Sequence, residues 1–339
     1  MKVCFVSTEP DEEGFFTERL ARWEPVFVRQ LDEVPADVEV LSIFIYDGIE
    51  ERFLASHPGL KLIVTRSAGA DHIDAEACRK HGVKIACGGG SDGNNVAEHT
   101  FALLLAVARR LRLSNERRSG DFSHQDLRGF ELRGKTLGLI GVGRIGARVA
   151  ALARAFEMKI VAYDPNPAAH VDGLRYASLD DVLGGAEILS LHAPLTAATR
   201  HLLDAAALAK CTEGVVIINT ARGALIDTEA LVKALESGQV GGVGLDVLED
   251  ERVLRAGAKE ILTSQIVEHV HQTDRPGAAQ QGVERKREIA RLFFNDALLA
   301  RPEVVFTPHI AFNTTENIEA ICGTVAKNIE DFLAAGEVA

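Results

Sequence analysis

The stretch TLGLIGVGRIG, residues 136–146, joins an apolar strand pattern to a glycine-rich turn. Thr136–Ile140 indicates a buried strand, and the residues from Ile145 to Phe156 have helical periodicity. A second strand pattern, Lys159–Tyr163, ends directly before Asp164, which follows the last glycine by 18 residues. Strand, G-x-G-x-x-G turn, helix, strand and acidic residue together form the fingerprint of a dinucleotide-binding βαβ unit.

Each part of this fingerprint has a physical task. Glycines let the backbone approach a pyrophosphate, the helix N-terminus offers N–H groups and a positive dipole, and the acidic residue binds ribose hydroxyls. An acidic side chain repels a 2′-phosphate, and residues 165–167 supply no arginine to receive one, so NAD is predicted rather than NADP. The predicted cofactor-binding residues here are Gly141, Gly143, Arg144, Ile145, Gly146 and Asp164.

A second G-x-G-x-x-G match, residues 88–93, lacks the rest of the fingerprint. No parallel strand follows it at the required distance, and no acidic residue is correctly placed. We therefore predict a flexible loop there, at the start of the next helix.

Short β-rich runs alternate with helical patterns along the chain, which is typical of parallel sheets with crossover helices. Some runs, such as Val215–Ile218, are entirely apolar, as expected for strands buried on both faces. The other predicted strands are Lys2–Ser7, Val38–Tyr46, Lys61–Arg66, Val83–Cys87, Glu187–Leu191, Val243–Val247 and Val304–Phe306. Further predicted helices are Glu98–Arg112, Thr228–Ser237 and Thr315–Ala335. A chain of 339 residues is long enough for two such domains.

Composition and charge narrow the class of protein. With 37 Lys+Arg against 49 Asp+Glu the net charge is −12, which argues against binding to nucleic acid or to an anionic membrane. The five cysteines form no C-x-x-C pair, and the N-terminus lacks the pattern of a signal peptide, so a cytoplasmic protein is expected. Glu268, His269 and His271 could bind a metal, but a solvated helix face is the better interpretation, and no metal is predicted.

Three polar residues follow predicted strands, at the sheet edge where α/β proteins bind ligands. They are Arg222, Glu251 and His309. Hydride transfer to a 2-keto acid needs a cation to orient the carboxylate and polarise the carbonyl, a general acid, and a carboxylate beside that acid. Taken singly, each residue has an ordinary surface or loop interpretation. Glu249 and His192 are rival candidates for the carboxylate and the acid.

The chain resembles the D-isomer-specific 2-hydroxyacid dehydrogenase family, and in particular its D-lactate dehydrogenase-like branch. The resemblance is carried in order along most of the chain by residues 68–74, 96–100, 141–146, 191–196, 219–227, 245–251 and 307–311. It implies two doubly wound parallel-sheet α/β domains, Rossmann-like and flavodoxin-like, with the cofactor cleft between them. The implied substrate domain comprises residues 1–97 and 311–339. Residues 98–310 form the implied NAD-binding domain, with a long surface insertion at about 252–303.

The resemblance also implies roles for individual residues. Arg222 binds and polarises the substrate, His309 donates or accepts the proton, and Glu251, chosen over Glu249 by the family's spacing from Arg222, is the partner of His309. The implied substrate-binding residues in the other domain are Ala68, Gly69 and Ser91. Further cofactor contacts are implied for Val96, His192, Ala193, Pro194, Thr220, Ala221 and Asp246.

A homodimer through the cofactor domain is also implied. The helix Glu98–Arg112 would be central to it, with Phe101, Leu104, Leu105 and Ala108 on one face; plain core packing is an equally good interpretation of that face.

The loop before Val96 leaves the identity of the substrate undetermined. Small polar residues stand there in place of the bulkier segment found in lactate enzymes, so a larger or more polar keto acid would fit. Two other functions remain as alternatives: an NAD(H)-sensing interaction protein on the same fold, and oxidation of formate or phosphite. Formate dehydrogenases place glutamine where Glu251 stands, which argues against the last.

Overall fold

The computed structural model describes residues 1–89, 92–117, 121–167, 171–251 and 290–337. Ser91 and most of the predicted insertion, residues 252–289, lie outside the described residues. The chain forms two compact units, Met1–Ser91 with Asn313–Ala339, and Asp92–Phe312. The sequence predicts the junctions at 97/98 and 310/311, and the roles of the two domains remain predictions.

The first unit contains a five-stranded parallel sheet in the order β2-β1-β3-β4-β5, the doubly wound order of flavodoxin-like folds. Its strands are β1 (Val3–Val6), β2 (Val26–Val28), β3 (Val40–Ile43), β4 (Leu62–Thr65) and β5 (Lys84–Cys87). Its helices are α1 (Pro10–Arg19), α2 (Glu51–Ser56), α3 (Ala75–Lys80) and the late helix Thr315–Glu337, here α11.

The buried strands of this sheet have no polar face, because helices cover both sides. Val3 and Phe5 of β1 pack with Val325 and Ile329 of α11, while Cys4 and Val6 belong to the cluster on the opposite face. The first unit therefore draws its core from both ends of the described chain.

The second unit contains a seven-stranded parallel sheet in the order β12-β11-β10-β9-β6-β7-β8. Its strands are β6 (Thr136–Ile140), β7 (Lys159–Tyr163), β8 (Leu174–Tyr176), β9 (Ile188–Leu191), β10 (Val215–Asn219), β11 (Val240–Leu245) and β12 (Val304–Phe306). The strand order reverses between β6 and β9, as in a Rossmann fold. The predicted pair of doubly wound parallel-sheet domains is thus confirmed.

Helices cover both faces of this second sheet. Residues of α4 (Asn94–Ala108) and α6 (Arg144–Ala155) pack on one face. On the other lie α7 (Leu179–Gly185), α8 (Ala205–Lys210), α9 (Thr228–Ser237) and α10 (residues 290–300), while α5 (Leu111–Asn115) follows α4. Among the described helices, none is both long enough and apolar enough to cross a lipid bilayer.

Several predicted boundaries were wrong for local reasons. The helix predicted over Glu98–Arg112 begins at Asn94, after Gly93 in a left-handed conformation, and ends at Ala108, before Arg110 with φ of 53°. The strands β2 and β8 were not predicted, because each is only three residues long and half-buried at a sheet edge.

The α4 face proposed for a dimer lies largely inside the second unit. Phe101, Leu104 and Ala108 are at most 4% exposed and belong to the core that α4 shares with the sheet. The core-packing interpretation therefore holds for these three side chains, while Leu105 is half-buried and a homodimer remains a prediction.

A buried arginine ties together the strand ends of the first unit. Arg66, directly after β4, is 1% exposed, and its Nη2 donates to the carbonyl oxygens of Val6 and Ser7, 2.8 and 2.7 Å away. Its Nη1 donates to Ser42 Oγ over 3.3 Å, and its Nε lies 3.4 Å from Glu12 Oε1. The guanidinium thus holds the end of β1 against β3 and β4.

We expect Arg66→Leu to lower the free energy of unfolding by about 3–5 kcal/mol, because Glu12 would be left buried without its cation. Urea unfolding followed by circular dichroism measures this. Arg19→Leu is the matched control, since the Arg19–Glu330 pair spans 2.8 Å but its side chains are 56% and 27% exposed. An exposed pair contributes about 0–1 kcal/mol. Equal losses in the two variants would contradict the assignment.

Candidate active site

The glycine turn after β6 lies where the strand order reverses. Gly141 has φ of +95°, and a Cβ atom built on it would lie 2.7 Å from the carbonyl carbon of His192, which follows the neighbouring strand β9. Gly143 precedes α6 without a side-chain cap, and a Cβ built on it would meet nothing within 4 Å. The turn therefore needs glycine at position 141 for close packing with the end of β9, and it borders open space at Gly143.

Asp164 is already oriented by this turn. Its Oδ2 accepts the N–H of Val142 over 2.8 Å, and its Oδ1 accepts the N–H of Asn166 over 2.8 Å. Of the other predicted cofactor residues of the motif, Arg144 is exposed at the start of α6, Ile145 is half-buried and Gly146 is buried. A tight turn, an uncapped helix N-terminus and a fixed carboxylate fit a dinucleotide.

His192, a rival candidate for the general acid, follows β9. Its Nε2 lies 2.8 Å from Ser190 Oγ, and burial lowers the pKa of His192 to about 4. The imidazole is neutral at pH 7 and holds no acidic proton to donate, so His192 is a poorer proton donor than its position suggests. Ala193 and Pro194 continue the chain after it, half-buried and exposed.

The structure brings Glu251 and His309 into contact. His309 Nδ1 lies 2.7 Å from Glu251 Oε1, with the side chains 16% and 28% exposed. A carboxylate only accepts hydrogen bonds, so Nδ1 carries the proton in this contact and the tautomer is fixed. Glu249, the rival carboxylate, instead accepts from Arg200 Nη2 over 2.7 Å and from His201 Nε2 over 2.9 Å.

The loop that carries His309 is held by Asp246, at the end of β11. Asp246 Oδ1 accepts from Thr307 Oγ1 over 2.6 Å and from the N–H of Ile310 over 2.9 Å, and Oδ2 accepts the N–H of Ala311 over 2.9 Å. The Asp246 side chain is 0% exposed. Burial raises its pKa, but hydrogen bonds from His99, Thr307 and the two backbone N–H groups outweigh it and lower the pKa overall.

Arg222 lies in the turn after β10. Asn219 shapes this turn, because its Nδ2 donates to the carbonyl of Arg222 over 2.9 Å and its Oδ1 accepts the N–H of Ala221 over 3.0 Å. A Cβ on Gly223 would lie 1.9 Å from the carbonyl carbon of Leu248. Only glycine therefore permits the Arg222 turn to pack against the segment that leads to Glu251.

Two further residues of the site were not predicted from the sequence. His99, in α4, places Nε2 2.8 Å from Thr307 Oγ1, and Thr100 places Oγ1 2.9 Å from Thr220 Oγ1. Thr220 is buried and Val96, one turn earlier in α4, is half-buried. The one sequence signal for His99 and Thr100 is that they lie in residues 96–100, which carry part of the family resemblance. Their contacts could not be predicted because the partner residues are far away in the sequence.

The predicted substrate residues of the first unit follow β4. Ser67 Oγ donates to the carbonyl of Gly69 over 2.6 Å, and a Cβ on Gly89 would lie 2.3 Å from Ala68 Cα. The Ala68–Gly69 segment is therefore fixed by its own unit. No group of three or more His, Cys, Asp or Glu able to hold a metal ion occurs within the described part of the chain.

Comparison with known proteins agrees with these features. Residues 101–311 match the NAD binding domain of the D-isomer specific 2-hydroxyacid dehydrogenases. The 2-hydroxyacid dehydrogenase homolog 1 of Schizosaccharomyces pombe is 34% identical over 98% of this chain and 96% of its own. The D-lactate dehydrogenase of Escherichia coli is 34% identical over 88% of this chain and 84% of its own. This chain belongs to the D-isomer specific 2-hydroxyacid dehydrogenase family.

A solved structure of the same family agrees over the whole chain. D-lactate dehydrogenase from Aquifex aeolicus, complexed with NAD and lactic acid, has a TM-score of 0.82 and 33% identity, covering 98% of this chain and 96% of that one. The protein is an NAD-dependent D-2-hydroxyacid dehydrogenase, and the cofactor predicted from the glycine motif is confirmed. The individual roles of its site residues are proposals, developed below.

We expect the half-buried, neutral His192 of this dehydrogenase to make folding sensitive to acid. Its pKa is about 4 when folded and about 6.5 when unfolded, so between these values the unfolded chain binds a proton that the folded chain does not. The contribution is full above pH 6.5 and is lost as the pH falls towards 4, at most about 3 kcal/mol.

Urea unfolding at pH 7 and pH 4 of the wild type and of His192→Gln measures this effect. Glutamine does not titrate, so the wild type should lose stability relative to the variant as the pH falls. Parallel pH dependence in the two proteins would show that His192 titrates normally in the folded state.

Proposed function

We propose that this dehydrogenase interconverts a 2-keto acid and a D-2-hydroxy acid, with Arg222, His309 and Glu251 as its catalytic residues. The observation that supports the assignment is the 2.7 Å contact between His309 Nδ1 and Glu251 Oε1. The two residues follow β12 and β11, at the carboxyl edge of the sheet where α/β proteins bind their ligands.

His309 is the proton donor in reduction and the acceptor in oxidation. NADH, when bound, would supply the hydride, and His309 would supply the proton that the carbonyl oxygen of the substrate takes. With Nδ1 committed to Glu251, the proton is exchanged through Nε2 of His309. The carboxylate of Glu251 orients the imidazole ring and balances the positive charge that His309 carries when protonated.

Arg222 supplies the cation of the site. A guanidinium matches the planar, two-oxygen geometry of a carboxylate and also polarises an adjacent carbonyl. Its turn is fixed by Asn219 and by the close packing at Gly223, so the backbone that carries it is set before substrate arrives. We assign the backbone of Ala68 and Gly69 to the substrate carboxylate.

The cofactor residues divide by the part of NAD they would hold. Gly141–Gly146 would receive the pyrophosphate, and Asp164 would accept hydrogen bonds from the adenosine ribose. The rest of the cofactor site would be lined by Val96, His192, Ala193, Pro194, Thr220 and Ala221. Asp246 remains assigned to the nicotinamide carboxamide, although its carboxylate is already fully enclosed by the His309 loop.

Oxidation of NADH by the purified protein tests the reaction and ranks its substrates. The panel comprises glyoxylate, pyruvate, hydroxypyruvate, 2-ketobutyrate, oxaloacetate, phenylpyruvate and 2-ketoisocaproate, with NADPH in parallel. We expect turnover with NADH on at least one keto acid and weaker turnover with NADPH, because Asp164 repels a 2′-phosphate. Binding of NADH without turnover on any of them would favour the sensing alternative.

We expect His309→Gln to lower kcat by about 10²–10⁴-fold, the usual contribution of a general acid. Glu251→Gln should lower kcat less, since the imidazole of His309 loses the carboxylate that orients it. His81→Gln is the matched control: His81 Nε2 lies 2.7 Å from Glu51 Oε1 in an exposed pair of the first unit. That variant should turn over like the wild type. Full activity of His309→Gln would refute the assignment.

A further inference from the structure

Two adjacent residues of α4 each contact a different loop of the catalytic site. His99 reaches Thr307, two residues before His309, and Thr100 reaches Thr220, two residues before Arg222. Both loops follow strands of the second sheet, and neither contact belongs to the proposed set of catalytic groups. His99 and Thr100 thus contact the chain two residues before the proposed proton donor and two residues before the proposed cation.

The direction of the hydrogen bonds on the His309 side is fixed. Thr307 gives its single hydroxyl hydrogen to Asp246 Oδ1, 2.6 Å away, so it must accept from His99 Nε2. His99 Nε2 also lies 3.4 Å from Asp246 Oδ1. His99 therefore completes the set of donors around a carboxylate that has no exposure to solvent.

The same reasoning applies on the Arg222 side. Thr100 donates to the carbonyl of Val96 over 2.8 Å, so its oxygen accepts the hydrogen of Thr220. Thr100 and Thr220 are 2% and 8% exposed. A buried hydroxyl that loses its partner is costly, so this contact resists displacement of the turn.

We propose that His99 and Thr100 are positioning residues that set the His309 loop and the Arg222 turn relative to each other through one rigid helix. The inference rests on the proposed function, because it takes His309 and Arg222 as the groups to be aligned. Hydride transfer with proton transfer is sensitive to alignment, and a displacement of about 1 Å costs up to about 10²-fold in rate.

The strained backbone at His309 shows why such support is needed. His309 has φ of 54°, a left-handed conformation that is unfavourable for a residue other than glycine. The carbonyl and carboxylate of Asp246 hold that conformation by accepting the N–H groups of His309, Ile310 and Ala311. Thr307 and His99 in turn hold the carboxylate.

Steady-state kinetics of paired variants test the proposal with the holoenzyme and the best substrate of the panel. Thr307→Val and His99→Leu should lower kcat by about 10- to 100-fold while KM for the keto acid changes less than about threefold. Thr100→Val should instead raise KM for the keto acid, by about tenfold, because it releases the Arg222 turn. Thr307→Ser retains the hydroxyl and His99→Gln retains an N–H donor, so both variants should recover most of kcat.

Thr324→Val is the matched control. Thr324 Oγ1 donates to the carbonyl of Ala320, four residues earlier in α11, as Thr100 does to Val96 in α4, but Thr324 is only half-buried and its hydrogen bond is exposed. This variant should match the wild type in kcat and KM. If Thr307→Val keeps the wild-type kcat, or if Thr307→Ser falls as far as Thr307→Val, the positioning role is refuted.

A second measurement does not depend on turnover. Imidazole NMR signals, with that of His309 assigned by its loss in His309→Gln, should move for His309 in Thr307→Val and stay in place in Thr324→Val. An unmoved His309 signal would overturn the inference even if the enzyme is active. A wild type that binds NADH but reduces no keto acid, with the His309 signal moving as expected, would instead refute the proposed function and leave the positioning contact standing.

Discussion

The buried carboxylate of Asp246 is the constraint on which the rest of the catalytic edge depends. A charge with no solvent exposure must find its donors inside the protein, and Asp246 finds them in the segment Thr307–Ala311 and in His99. That requirement wraps the segment around the end of β11 and holds His309 in its left-handed conformation. The contact between His309 and Glu251 is made on a backbone already fixed by this carboxylate.

The two units fix their loops by different means. In the second unit a buried anion collects donors, whereas in the first unit a buried cation, Arg66, collects the carbonyl oxygens at the end of β1. A chain of polar contacts then runs from His72 through Thr65 and Ser67 to the carbonyl of Gly69, with distances of 3.1, 2.6 and 2.6 Å. In both units, the loops assigned to substrate chemistry are held by polar groups within their own unit.

The sequence predicts the parts of this structure that arise from local patterns. Fully apolar runs such as Val215–Ile218 identify the central parallel strands, and the glycine motif with Asp164 identifies the dinucleotide site. His309 and Glu251 each follow a predicted strand, but their roles were predicted from the resemblance to the family, whose spacing from Arg222 selected Glu251 over Glu249. The edge strands β2 and β8 were missed because strands of only three residues leave no periodic signal.

The contacts of His99 and Thr100 could not be predicted from the sequence, for a different reason. Their partners stand 208 and 120 residues away, and a histidine or threonine in a helix is ordinary in a single sequence. Such contacts arise from the way the helix crosses the sheet, which no local pattern encodes. The left-handed backbone of His309 is equally invisible, because its cause is the burial of Asp246 rather than the residue itself.

The packing of α11 on the sheet of the first unit has a consequence for how the protein folds. Val3 and Phe5 of the first strand need Val325 and Ile329 of the last helix to cover them, whereas the second unit is complete before that helix is synthesised. Contacts between residues so far apart in the sequence form slowly, because the loop-closure entropy is lost before the contact stabilises the chain. Until α11 packs on the first sheet, the apolar side chains of Val3 and Phe5 lack their cover and are open to aggregation or to binding by chaperones.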